Sequence, residues 1–149
     1  MERESSDITF VTKPTQPILL IFVRYASAGF PSPARDFKEE ELDILQEFDI
    51  NKPSVFILRM GTDAMEGEHI FIPNQAYVTV DRAKKARHGA IVVVSLNGVF
   101  LMRILLRVKG HICLCAANRK YPEIIINPED QLVFFGVVET VFYKANTPK

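Results

Sequence analysis

From residue 54 onward, the apolar residues come in short runs of β-branched and aromatic side chains separated by turn formers. The runs cover residues 54–59, 76–81, 90–96, 99–107, 111–116, 123–126 and 132–143, the last broken near Gly136. Runs of this length bounded by Gly, Pro, Asn and Asp predict strands. The longest apolar tract, AIVVVSLNGVFLMRILL, is divided by Asn97-Gly98. That dipeptide supplies the left-handed backbone of a two-residue turn, so the tract predicts a hairpin and not a helix. One short helix is predicted over residues 37–48, where Leu42, Leu45 and Phe48 recur at helical spacing. Residues 1–16 are polar and need no fixed structure, and residues 29–37, with two prolines and a glycine, predict an extended connector. The whole pattern predicts an all-β, barrel- or sandwich-like fold with at most one short helix.

Composition adds limits. A chain of 149 residues, 48% hydrophobic, is long enough for one domain with a sizeable core. Its 18 basic and 18 acidic residues cancel, so nothing favours bulk attachment to nucleic acid or an anionic membrane. Any DNA-related role has to run through protein partners. Cys113 and Cys115 would point the same way along a strand, poor geometry for a mutual disulfide, which makes the cytoplasm the default location. The start, MERESSDITF, is too charged for a signal peptide, and ILLIFV is too short to span a bilayer.

The chain has no glycine-rich phosphate loop and no zinc-type Cys/His spacing, and His69, His88 and His111 are scattered. No metal or cofactor is implied. What stands out is the loop-like stretch Gly61-Thr62-Asp63-Ala64-Met65, set between an apolar run and a valine-rich one. Together with ASAGFPSPARDFKEEELDI before it and VDRAKKARHGAIVVVSLNGVFLMRILLR, NRKYPEIIINPED and FGVVETV after it, this stretch resembles the UmuD and MucA proteins of the SOS mutagenesis system. Those are relatives of the self-cleaving domain of the LexA repressor. The likeness runs from about residue 18 to about residue 143, with several motifs at matching intervals.

The resemblance implies a LexA C-terminal-domain type of fold, with an N-terminal arm over residues 1–28 and a β domain over 29–149. In that family a Ser-Lys dyad cuts the protein's own arm between a small residue and Gly after docking on a RecA filament. The trimmed dimer then joins UmuC as a DNA polymerase. Carried over to this chain, the scissile bond is Ala28-Gly29 and is intact. The nucleophile falls on Ala64 and the general base on Arg103. Thr62 replaces the glycine before Asp63, and Asn74-Gln75 replaces a Gly-Asp pair. Alanine has no oxygen with which to attack a carbonyl, and arginine, with a pKa above about 12, stays a cation. Either replacement alone disables the dyad.

Other readings of these residues are simpler. Glu39, Glu40 and Glu41 read as a solvated helix face. Arg103 shares its strand face with Val99, Leu101 and Leu105, so its charge needs water or a carboxylate; Asp63 in the loop is the expected partner. The expectation is a homodimeric pseudo-protease acting through a UmuC-like polymerase, RecA, or UmuD and LexA relatives, without sequence-specific DNA binding. Its dimer contact is expected along residues 132–143. The alternatives are a self-cleaving peptidase with an unconventional nucleophile such as Thr62, and an inhibitor that titrates LexA-type proteins.

Overall fold

A computed structural model describes residues 6–11, 19–25 and 37–145, with side chains described in 6–11 and from 43 onward. The strands in chain order are β1 (Ile8–Val11), β2 (Leu19–Tyr25), β3 (Phe37–Asp43), β4 (Val55–Met60), β5 (Tyr77–Asp81), β6 (Ile91–Leu96), β7 (Val99–Val108), β8 (His111–Cys115), β9 (Ile124–Ile125) and β10 (Leu132–Phe142). Eight of them form one antiparallel sheet in the order β1-β4-β5-β10-β6-β7-β8-β9, while β2 and β3 pair separately. Among the described residues the fold is all-β with one short helix, α1 (Ile44–Glu47), in keeping with the class that the sequence pattern predicts.

The sheet curls because β7 is longer than its neighbour. β8 pairs with β7 only from Ile104 to Val108, which leaves the same edge open over residues 99–103. Asp7, just before β1, reaches that opening and donates its N–H to the Phe100 carbonyl at 2.9 Å. The outermost strand on one side is thereby brought against β7. Both faces of the central strands are covered. Val93 packs with Leu58, Met60, Val78, Val80 and Met102, while Val92 and Val94 pack with Leu101, Leu105 and Leu114. Burial on both faces is why these runs are continuously apolar and do not alternate.

Local chemistry sets the turns. Asn97 and Gly98 have φ of 51° and 86°, the positive values a two-residue hairpin demands, and the register Leu96↔Val99 follows. Asn97 also ties this turn to the start of β10, accepting from the Gln131 N–H at 2.8 Å and donating to Asp130 at 3.0 Å. The predicted break near Gly136 is a register shift between Phe134 and Gly136. A Cβ at Gly136 would lie 2.8 Å from the Asp81 carbonyl oxygen and 2.7 Å from Val80, so only glycine fits.

Two expectations need correction. The helix expected over residues 37–48 is confined to Ile44–Glu47, and residues 37–43, including Glu39 to Glu41, form β3 against β2. Seven paired positions with β2 outweigh a short isolated helix, whose nucleation is costly. Asp43 then caps α1 by accepting from the Leu45 N–H at 3.0 Å. Within the segment expected to need no structure, Ile8–Val11 is a strand on the free edge of β4, with Ile8 in the core. β10 has both edges paired, to β5 and β6, so its apolar character serves the sheet. Val133 on this strand remains exposed.

Replacing Gly136 by Ala should destabilise the fold by about 1–3 kcal/mol, the usual cost of forcing atoms into a packed site. Thermal unfolding measures it, and an unchanged midpoint would contradict the close packing at this bulge.

Candidate functional site

The loop that follows β4 is anchored at both ends by backbone pairing. Met60 donates to Ala76 at 2.8 Å, and Ile72 donates to Met65 at 2.8 Å. Ala64 and Met65 are fully buried. The segment 118–121 clamps the loop from outside. The Asn118 N–H donates to the Ala64 carbonyl and its side-chain amide to the Asp63 carbonyl, both at 3.0 Å. The Tyr121 hydroxyl donates to the Asp63 carboxylate at 2.6 Å, and Lys120 forms an ion pair with that carboxylate. Beside the clamp, a Cβ on Gly67 would lie 2.5 Å from the Ala117 carbonyl oxygen, so the two segments touch through backbone.

These contacts set the protonation states. The hydrogen bond from Lys120, then that from Tyr121, holds the Asp63 carboxyl below its ordinary 3.8. The bond between Lys120 and Asp63 raises Lys120 above 10.5, and Tyr121's own bond to Asp63, with help from burial, raises Tyr121 above 10.0. Cys113 and Cys115 are free thiols, pushed up by burial and by the neighbouring Glu123, and so are poor nucleophiles.

Arg103, assigned to the base position by the resemblance, is the largest fully buried side chain described. Its Nη1 donates to the Asp7 carboxylate at 2.5 Å and to the Met102 carbonyl at 2.8 Å. The same Asp7 oxygen accepts from the Met102 N–H at 3.0 Å, and the other accepts from the Thr62 hydroxyl at 2.8 Å. The Asp7 carbonyl accepts from the Gly61 N–H at 2.6 Å. One residue thus links the loop to β7. Asp7 and Arg103 are 2% and 1% exposed, so neither charge is relieved by water.

Chemically the arrangement holds a carboxylate and does not activate a hydroxyl. The Thr62 hydroxyl donates a hydrogen bond to Asp7, while its oxygen accepts from the Ala64 N–H at 3.3 Å. That N–H, of the type that stabilises an oxyanion in acyl transfer, is therefore engaged. Moving the Thr62 proton onto Asp7 would cancel the charge of a buried carboxylate that Arg103, the Met102 N–H and the Thr62 hydroxyl are arranged to hold.

Gly61, Thr62, Asp63, Ala64 and Met65 share one loop, and Arg103 joins it through Asp7. The sequence reading expects Asp63 beside Arg103; the structure instead places Asp7 against Arg103 and Asp63 against Tyr121 and Lys120. Tyr121 explains the correction, because its ring lies 5.5 Å from the Arg103 guanidinium while its hydroxyl holds Asp63. Ala28 and Gly29 lie outside the described residues. Sequence reasoning missed Asp7, Asn118, Lys120 and Tyr121. The alternating Asp7-Ile8-Thr9-Phe10 pattern carried a strand signal, while NRKY gave no local sign of its role.

A family model for Peptidase S24-like proteins matches residues 20–139. Protein SamA of Salmonella typhimurium is 35% identical over 136 residues, 91% of this chain and 92% of SamA. Protein MucA of Escherichia coli is 36% identical over 120 residues, covering 78% and 79%. A LexA repressor of Carboxydothermus hydrogenoformans is 35% identical over 109 residues, 72% of this chain and 52% of the repressor. Asp7 lies upstream of the span that the family model matches.

The clamp on the loop has a defined pH window. Asp63, with its lowered value, contributes stability above 3.8 that is lost as pH falls through the lowered value. Lys120 and Tyr121, with raised values, contribute stability below 10.5 and 10.0 that is lost as pH rises through theirs. Amide exchange at Asn118, corrected for intrinsic rates, should show constant protection between these limits and lose it outside them. Loss of protection near neutrality would contradict the clamp.

Proposed function

The chain belongs to the Peptidase S24-like family, in its UmuD/MucA branch, and we propose that it works there by binding, without cutting itself. In this reading it is an accessory or regulatory protein of SOS-induced, error-prone translesion DNA synthesis. It acts in the cytoplasm as a homodimer, through a UmuC-like polymerase, a RecA filament, or UmuD and LexA relatives. It makes no sequence-specific contact with DNA. Residues 1–28 form its arm and 29–149 its β domain.

One observation carries the reading. Where the family places a serine and a lysine, this chain has Ala64, whose N–H is engaged by Thr62, and Arg103, whose guanidinium is held by Asp7. A peptidase requires an attacking oxygen and a base able to take its proton. The first is missing at position 64, and the second is a permanent cation at position 103. Thr62, the remaining hydroxyl of the loop, is turned toward a carboxylate already bound by Arg103. The absence of a net charge agrees with a role exercised on protein partners.

Incubating the purified protein with a RecA filament, or alone at alkaline pH, tests the proposal by intact mass. No fragment ending at Ala28 should form; a specific cut after Ala28 overturns the assignment. Restoring the dyad with Ala64→Ser and Arg103→Lys should remain silent, because Asp7 keeps the new lysine cationic. Adding Asp7→Asn should raise cleavage at least about tenfold, the yield of one unit of lysine pKa, and the rate should climb with pH. Equal rates with and without Asp7→Asn would contradict this role of Asp7.

A further inference from the structure

The former catalytic cleft is not empty: a strand of the chain's own N-terminal segment fills it. We infer that this cleft has become a binding site for an extended peptide bearing one aspartate, with residues 7–11 as its resident ligand, held independently of the covalent chain.

Five kinds of contact define the site, and each reads a different feature of the strand. Arg103, the Met102 N–H and the Thr62 hydroxyl read the carboxylate of Asp7. The Phe100 carbonyl and the Gly61 N–H read the backbone on either side of that carboxylate. Beyond it, the register Ile8↔Met60 to Val11↔Ile57 continues the ladder along β4. Ile8 enters the core beside Met60, Met65 and Met102. Phe10 rests edge-on against Phe100 and Phe135, with ring centroids 5.2 and 5.3 Å away. This is strand addition to an open sheet edge, in which main-chain hydrogen bonds supply affinity and alternate side chains supply specificity. The recognised pattern is Asp, apolar, any residue, aromatic.

The charge is the selective element. Arg103 is buried, and its Nη1 donates to the carboxylate of the seated strand. A strand lacking the carboxylate loses the charged hydrogen bond to Arg103 and leaves the Met102 N–H and the Thr62 hydroxyl without this acceptor, so the site discriminates against it. Phe10 remains about half exposed, so the aromatic contact adds area while the aspartate sets identity.

The test separates the strand from the rest of the chain without relying on self-cleavage, so its outcome is independent of the pseudo-peptidase reading. A specific protease site is placed in the full-length protein within residues 12–18, between β1 and β2, and the protein is cut to completion. The N-terminal piece should co-elute with the body on gel filtration. In the Asp7→Ala protein it should be released. A labelled synthetic peptide of residues 6–11 should enter the cut protein, and the same peptide carrying Asp7→Asn should bind at least about tenfold more weakly, the equivalent of one lost charged hydrogen bond. Should the Asp7→Ala chain fail to fold, the peptide comparison on otherwise unaltered cut protein decides. Prompt loss of the piece from the cut protein, or equal binding of the two peptides, overturns the inference.

Discussion

The Asp7–Arg103 pair governs the molecule. A guanidinium 1% exposed, in the middle of β7, has no access to water, and its burial is tolerable only beside a carboxylate with well-placed hydrogen bonds. Asp7 meets that demand and satisfies its own. Its two oxygens accept from Arg103, Met102 and Thr62, while its backbone bonds to Phe100 and Gly61. The first strand therefore has to lie against β4 and β7, and the sheet has to curl. Asp7 joins three parts of the chain that are remote in sequence: the N-terminal segment, the loop after β4, and β7.

The same constraint explains the chemistry. In a Ser-Lys peptidase the base position must be able to carry a neutral amine, and the cleft must receive a peptide for cutting. Here the cation is permanent, its counter-charge is supplied from within the chain, and the cleft already holds a strand. The loop is further fixed by Asn118, Lys120 and Tyr121, which hold it through Asp63 and the carbonyl of Ala64. In the proposed reading, the site keeps the recognition half of a peptidase, holding an extended strand beside β4, and lacks the reactive half.

How much of this was legible in the sequence depends on the range of the interaction. The strands from residue 54 onward, the Asn97-Gly98 turn and the break at Gly136 rest on local patterns, and each appears within a residue or so of its predicted place. Residues 37–43 were misread because their helical spacing is local, whereas the pairing with β2 that overrides it is not. For Arg103, the need for a carboxylate was legible, because any cation in an apolar strand has that need. Its identity was not, because Asp7 is 96 positions away and only the unpaired edge of β7 brings it near. The clamp by Asn118 and Tyr121 is equally long-range, separated from Asp63 by 55 and 58 positions.

A double-mutant cycle on Asp7 and Arg103 tests the account most directly. Unfolding free energies are measured for the unaltered protein, Asp7→Ala, Arg103→Met, and the two together. If the buried pair organises the cleft, each single change is strongly destabilising, and the double change costs less than their sum by at least about 1.5 kcal/mol, the low end of coupling for close charge pairs. Additive effects, within the few tenths of a kcal/mol expected of independent sites, would contradict it.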